Sequence, residues 1–426
     1  MNFLKLLEKP PLYLLFLFAG PSVILIVLSL LLNIDVVTVP EGHQFEGKQT
    51  GYIQSINWSF TFTVLFPALV AGCAIVCQRT SYIIRRLPKN GMLWMNSQKI
   101  DSDELEAAWR SRRDQIMPTI IWLIFALAAV VCAQEWFNES FSPLITQASS
   151  RQFEPDWAAA AALGHSVNGG PYANVIFSFI AFSLQFLLLV FGLIGCAIIG
   201  VFSQFLYDAS TDGVDGLLVL PDYKDDDRRK GFQLHTEFCQ YAIGFFVVIF
   251  LIIYVSQLHN NFLRDPTHLT IFSYLADRFS VGLVGPENFD WATLLSMNAS
   301  QNYSNIATAI AAALVILLGG MIVGYVLRAA AKNARDNAID IFRSAAENQE
   351  GPSASEYAEA VASLKNMVVW PFGGKTTNIL VFLVFFPILA LLFDTVVVAL
   401  VAALAVALVT RAFKSVSVLG VDPDQG

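Results

Sequence analysis

Residues 173–203 read ANVIFSFIAFSLQFLLLVFGLIGCAIIGVFS and contain no charged side chain. A helix needs about 20 predominantly apolar residues to cross a hydrocarbon core of about 30 Å. This stretch is long enough to cross a bilayer by itself, because no ionisable group interrupts it. It therefore predicts a membrane-spanning helix.

Comparable apolar stretches recur along the 426 residues, of which 55% are hydrophobic and 14% charged. Soluble domains carry about 25% charged residues, and the mean hydropathy of +0.57 agrees with a membrane protein. The apolar run after Lys5 and Lys9 exceeds a signal-peptide core and lacks a small-residue cleavage site, so we expect a retained span. The further predicted spans are 12–33, 58–78, 118–137, 238–258 and 305–328.

A final apolar block covers residues 376–411. At 1.5 Å per residue a single helix of this length exceeds the bilayer thickness, so we predict two spans, 376–392 and 395–411, with Asp394 at the turn. Phe393-Asp394-Thr395 contains neither Gly nor Pro, the residues expected at a sharp reversal. A re-entrant hairpin is therefore an alternative.

The positive charges indicate how the chain is threaded. Of the 26 Lys and Arg residues, 22 fall in loops 79–117, 204–237 and 328–375 or at the two termini. Positive charge is enriched on the cytoplasmic side of membrane proteins. The pattern favours eight spans with both termini inside. It predicts an all-α polytopic protein embedded in the lipid bilayer of a bacterial inner membrane.

This threading divides the chain into three parts. Residues 1–328 form a bundle of six spans with cytoplasmic loops 79–117 and 204–237. Residues 329–375 form a cytoplasmic helical hairpin, because the stem after Arg328 lacks Gly and Pro until Gly351-Pro352. Residues 376–426 form the terminal transmembrane hairpin and tail. The cytoplasmic hairpin suits an oligomer contact, a sensor arm or a spacer.

Three arginines in the first predicted inner loop are candidate ligand contacts. Arg110, Arg112 and Arg113 follow a predicted helix start at Asp101. They are candidates for contacts with an anionic lipid or ligand, although ordinary positive-inside anchoring accounts for them as well.

Residues 222–230, in the second predicted inner loop, begin like an epitope tag but depart from it at Arg228. Their internal position favours native sequence.

Three polar side chains are candidates for a pore or an intramembrane site, because ionisable and polar groups at membrane depth are costly. Asp394 suits a cation site, a proton site or a water-facing turn. Gln185 lies centrally in the fourth predicted span and suits a helix–helix hydrogen bond or a substrate contact. Glu237 suits proton handling or a helix-start carboxylate.

Small residues indicate close helix packing. Gly192 and Gly195 lie in the fourth predicted span, and Gly320 and Gly324 form a small-xxx-small pair in the sixth. Such faces bring backbones together within one subunit or between copies, so we expect a homo-oligomer. Pro67 is expected to kink the second span.

No motif for catalysis, cofactor binding or metal binding is visible, and we expect none of these; the P-loop, HExxH and zinc-ribbon spacings are missing. No extramembrane segment is basic enough to predict nucleic-acid binding. The favoured hypothesis is an oligomeric channel or pore-type effector gated from the cytoplasm. The alternatives are a membrane sensor or scaffold for a soluble cytoplasmic partner, and a small-solute transporter.

Overall fold

The computed structural model describes residues 3–39, 46–95, 98–99, 102–138, 171–214, 217–225, 229–264, 268–279, 303–347 and 354–369. The helices there are α1 (Phe3–Leu7), α2 (Pro11–Leu32), α3 (Ile56–Phe60), α4 (Phe66–Asn90), α5 (Ser102–Trp136), α6 (Pro171–Thr211), α7 (Gln233–Arg264), α8 (Ile271–Phe279), α9 (Tyr303–Glu347) and α10 (Ala354–Lys365). A π-helical turn (Thr61–Leu65) joins α3 to α4. The strands are β1 (Val37–Thr38), β2 (Gln49–Thr50), β3 (Gly91–Met95), β4 (Gln98–Lys99) and β5 (Leu218–Pro221).

Five helical stretches are long and apolar enough to cross a membrane, which confirms an integral, helical membrane protein. They are Pro11–Leu32, Ile56–Leu87, Asp103–Trp136, Tyr172–Thr211 and Gln233–Asn260, and they coincide with the first five predicted spans. The predicted span 305–328 lies in the first half of α9. The predicted pair after residue 376 lies outside the described residues, so eight spans stays a prediction.

The outward faces of two spans are apolar. Leu12 and Phe16 on α2 are about two-thirds exposed, and Trp122 on α5 exposes 76% of its surface. Large apolar side chains that cover a helix face continuously are unfavourable in water. These faces therefore contact lipid.

The bundle is organised around α4 and α6, which pack against each other and against α2, α5, α7 and α9 in different combinations. Aromatic rings fill the space between these helices. Phe18 meets Phe66 and Phe191 edge-on at centroid distances of 5.5 and 5.1 Å, and Phe202 meets Phe238 at 4.7 Å. Edge-on aromatic pairs add to the stabilisation that burial provides.

Glycine at position 195 of α6 makes room for the ring of Phe245 on α7. A Cβ atom at Gly195 would lie 2.7 Å from Cε1 of Phe245, which is closer than real contacts allow. Gly192, one turn earlier, has ordinary contact distance to Leu69. Gly195 therefore serves helix packing within one chain.

Two small antiparallel sheets were not predicted from the sequence. β1 pairs with β2 near the first predicted outer loop. β3 lies between β4 and β5 and pairs Gly91 with Pro221 and Trp94 with Leu218. The second sheet joins predicted inner loops 79–117 and 204–237. The fold is thus a helical membrane bundle with a small sheet tying two of its inner loops together.

Side chains from the second half of α9 bind the end of α6 at Thr211, which is its predicted inner end. The last four carbonyls of a helix lack partners inside that helix. Asn337 donates from Nδ2 to the carbonyls of Ser210 and Thr211 at 3.1 and 2.9 Å. Asn333 donates to Oγ1 of Thr211 at 2.8 Å. Asn337 thereby caps the last carbonyls of α6, and Asn333, one turn earlier on α9, binds the side chain of its last residue.

The α10 helix packs onto the same region. Leu220, Ala338 and Leu364 form a buried cluster that joins β5, α9 and α10. Tyr223 meets Phe342 edge-on at 5.0 Å, and Ser363 donates to the carbonyl of Tyr223 at 3.1 Å. The segment predicted as a helical hairpin therefore packs against its own inner loops along this face.

Asn337→Ala should lower the free energy of unfolding by about 1–2 kcal/mol, because two helix-terminal carbonyls lose their donor. The measurement is a denaturant titration of the purified protein in mild detergent. Asn366→Ala, at an exposed asparagine after α10, is the matched control. Equal effects of the two substitutions would contradict the capping role.

Candidate functional site

A cavity of about 400 Å³ lies where the beginning of the second span meets α5, α6 and α7. Its wall combines aromatic and aliphatic side chains with several polar groups. The lining residues are Asn57, Trp58, Thr61, Phe62, Glu135, Phe182, Gln185, Leu188, Ile252, Ser256, His259, Asn260 and Leu263. Ligand pockets typically enclose about 300–1,000 Å³ and have apolar walls with a few polar groups. The cavity has the size and character of a site for a small solute.

A carboxylate and an amide meet in the cavity wall. Nε2 of Gln185 on α6 donates to Oε2 of Glu135 on α5 at 2.5 Å. Both side chains are only partly buried and both line the cavity. The pair joins two membrane-spanning helices and places a carboxylate in the wall of the cavity.

Glu135 was missed as a site residue at the sequence level, although a signal was available. It lies inside the predicted span 118–137, where an ionisable side chain is costly and marks a candidate site. Its hydrogen-bond partner lies 50 residues away in sequence, so sequence spacing could not reveal the pair.

Several polar atoms in the cavity wall have no hydrogen-bond partner among the described residues. They include Oδ1 of Asn57, Oγ1 of Thr61 and both ring nitrogens of His259. His259 is 1% exposed and Thr61 is 4% exposed. Buried polar groups are normally hydrogen-bonded, so these atoms would gain from a polar ligand in the cavity.

The π-helical turn that carries Thr61 and Phe62 ends two residues before Pro67. The N–H of Phe66 donates to the carbonyl of Thr61, five residues back, as in a π-helix. In this register the carbonyl of Phe62 should receive the N–H of residue 67, but proline has none. Oγ of Ser22 on α2 supplies the missing donor at 2.5 Å.

An outer cap lies beside the cavity, built from strands β1 and β2 and helix α8. Nζ of Lys48 donates to the carbonyl of Phe262 in the last turn of α7 and lies 4.5 Å from the centre of the Phe262 ring. The N–H of Gln49 donates to the carbonyl of Leu269 at 2.8 Å. A cation at a helix C-terminus is electrostatically favourable, so Lys48 holds the cap against α7.

A family model described as RcgA-like matches residues 8–407, which is nearly the whole chain. The chain belongs to the RcgA-like family. No curated protein and no solved structure gives a match. The family description states no activity, so the function of this RcgA-like protein has to be argued from the chemistry of its cavity.

The three arginines predicted as anionic-ligand contacts each lie close to a carboxylate. Arg110 contacts Glu106 at 2.6 Å, and Arg113 contacts Asp114 at 3.0 Å. Arg112 lies 3.6 Å from Asp208 at the inner end of α6. Arg110 and Arg112 are about half exposed, and their role in ligand or lipid contact stays a prediction.

Glu106 of this RcgA-like chain lies on the predicted inner side and is paired with two arginines. It lies before the predicted span 118–137, and 9% of its side chain is exposed. Arg85 donates to it from Nε at 2.7 Å and from Nη2 at 2.9 Å, which is the two-point geometry that strengthens an ion pair. The hydrogen bonds from Arg85, with help from Arg110, lower the pKa of Glu106 below its ordinary value.

Among the described residues, Glu237 and Gly324 are not part of the cavity lining. Glu237 lies 3.4 Å from Arg79 at the inner end of α7. Asp394 lies outside the described residues. Gly324 is buried in α9, and Gly320 belongs to the same helix. Of the three polar candidates, Gln185 is the one that the described structure places in the cavity.

Ser22→Ala should destabilise the protein by about 1–3 kcal/mol, because the buried carbonyl of Phe62 would lose its donor. Denaturant unfolding in mild detergent measures the change. Ser29→Ala is the matched control: Ser29 is equally buried on the same helix, but its hydroxyl donates within that helix to Ile26. If both substitutions cost the same, Ser22 has no special role at the π-helical turn.

Acidification should weaken the protein through Glu106. Its pKa is lower in the folded state than in the unfolded state, so its stabilisation is present above the unfolded value of about 4.3 and is lost as pH falls through the folded pKa. Thermal unfolding midpoints at pH 6 and pH 3 should therefore differ less in Glu106→Gln than in the wild type. Glu104→Gln, at an exposed carboxylate of the same helix, should retain the wild-type difference.

Proposed function

We propose that this protein transports a small polar solute, with the cavity at Glu135, Gln185 and His259 as its binding site. The observation that carries the proposal is the carboxylate–amide pair in the wall of a 400 Å³ cavity between membrane helices. Ionisable groups at such positions are associated with substrate and ion pathways. A role in helix packing alone would leave the unpartnered ring nitrogens of His259 unexplained.

The predicted threading gives the cavity an orientation. Asn57 lies at the start of the second span, Glu135 near the end of the third and His259 near the end of the fifth, so all three lie at the predicted outer ends of their helices. In the proposed arrangement the cavity opens outward in a bacterial inner membrane, and both termini are cytoplasmic.

The packing below the cavity favours a gated pathway over an open one. Further toward the predicted inner side, the same helices carry Phe66, Phe191 and Phe245, each at most 2% exposed. A solute could pass this layer after helices move, and the π-helical turn is the local irregularity at which the second span could bend. This arrangement supports a transporter more than a channel through one subunit.

The channel and scaffold hypotheses would require a pore or a binding surface elsewhere in the molecule. A cytoplasmically gated channel would need its pore between copies of an oligomer, because the described bundle is filled with aromatic side chains. A scaffold would have to bind its soluble partner with α9 and α10 packed on the inner sheet. Both stay predictions, as do the homo-oligomer and the absence of enzymatic activity.

Accessibility of Ser256 tests transport without knowledge of the solute. Ser256 lines the cavity, so Ser256→Cys, in a background lacking the five native cysteines, should react with a membrane-impermeant thiol reagent added outside. It should also react, more slowly, with reagent enclosed in sealed vesicles, because the cavity must face each side in turn. Labelling is quantified by mass spectrometry.

Leu251→Cys is the matched control on the same helix, because Leu251 is 36% exposed on an apolar surface and should resist the reagent from both sides. Reaction of Ser256→Cys from one side alone would contradict transport. Lack of reaction from both sides would contradict a solute site as well.

A further inference from the structure

We infer that the solute taken by this cavity is a small organic cation carrying an ammonium group. The inference rests on the proposed function and names its substrate class. Three properties of the cavity lead to it: a carboxylate without a counter-charge among the described lining residues, an aromatic wall, and polar atoms that have no partner among the described residues.

The charge balance of the cavity favours a cation. Among the described residues around it, Glu135 is the one carboxylate and none is Lys or Arg. An unpaired carboxylate away from bulk water is costly, and the amide of Gln185 contributes a dipole but no charge. A ligand of charge +1 would neutralise Glu135.

Lys48 is the basic residue to weigh against this argument, since it lies close enough to His259 to act on it electrostatically. Its ammonium group is bound to the carbonyl of Phe262 in the last turn of α7 and lies against the Phe262 ring. The partial negative charge of that helix end offsets part of the charge of Lys48, and Lys48 is not among the lining residues. Glu135 is therefore still available to a ligand.

The aromatic wall suits an organic cation. The ring of Trp58 lies 4.9 Å from that of Phe182 and 5.3 Å from that of Phe62, measured between centroids. All three residues line the cavity. Aromatic faces attract ammonium groups within about 6 Å, and Trp is the strongest of them. A hydrated anion would gain nothing from such a wall.

The polar atoms of the wall complete the site. Oδ1 of Asn57, Oγ1 of Thr61 and the imidazole of His259 lack partners among the described residues and can accept hydrogen bonds from ammonium or hydroxyl groups. Within the parts of the chain that the structure describes, no group of three or more His, Cys, Asp or Glu side chains could hold a metal ion. Ca²⁺ and Mg²⁺ need six or more oxygen ligands, so a wall with one carboxylate suits an organic cation better.

Calorimetric titration of the full chain in lipid nanodiscs tests the inference, with choline, ethanolamine and 3,3-dimethyl-1-butanol as probes. The last compound has the shape of choline but no charge. Choline or ethanolamine should bind saturably at constant ionic strength, and the neutral compound should not. This comparison uses the wild-type protein and does not depend on the folding of any variant.

Two variants assign the binding to the cavity. Glu135→Gln keeps the size of the side chain and removes its charge, and should weaken binding by about 30-fold or more. Trp58→Leu should weaken binding by about 3- to 30-fold. Glu104→Gln removes an exposed inner-side carboxylate and should leave the affinity unchanged.

The inference is overturned if neither cation binds, if the neutral compound binds as tightly as choline, or if Glu135→Gln retains wild-type affinity. Failure of the proposed function would appear differently. Cation binding with one-sided labelling of Ser256→Cys would preserve the ligand class and remove transport. Two-sided labelling without cation binding would preserve transport and remove the ligand class.

Discussion

Within hydrocarbon every backbone N–H and C=O group needs a partner from the protein, because no water is available to supply one. Pro67 in the second span has no N–H to donate, so a carbonyl in the preceding turn lacks a backbone partner. The chain resolves the deficit with a π-helical turn over Thr61–Leu65 and with the hydroxyl of Ser22, which donates to the carbonyl of Phe62. This single hydrogen bond ties the first span to the second at the level of the cavity.

The π-helical turn forms part of the cavity wall. The π-helical turn places Thr61 and Phe62 in a wall that α5, α6 and α7 complete with Glu135, Gln185 and His259. On the inner side of this wall the bundle is filled by interlocking aromatic rings. The described bundle thus places a cavity with polar wall groups next to a layer of buried aromatic side chains.

On the predicted inner side, side-chain hydrogen bonds, an ion pair and a small apolar cluster connect the helices. Asn337 of α9 caps the end of α6, Asn333 binds the hydroxyl of Thr211, and a small apolar cluster joins α9 and α10 to strand β5. Arg85 and Arg110 meet on Glu106 nearby. These contacts connect the predicted inner ends of several spans.

The sequence by itself determined five of the membrane-compatible helices, because apolar length is a local property that a single segment carries. It also singled out Gln185, since a polar residue in an apolar run stands out wherever it lies. The tertiary structure alone decided the partner of Gln185, the inner sheet and the π-helical turn. Glu135 and Gln185 are 50 residues apart, β3 and β5 are separated by two spans, and the one-residue shift of a π-helical turn leaves no trace in hydrophobic periodicity. Each depends on where distant segments meet, and that is set by the packing of the whole bundle.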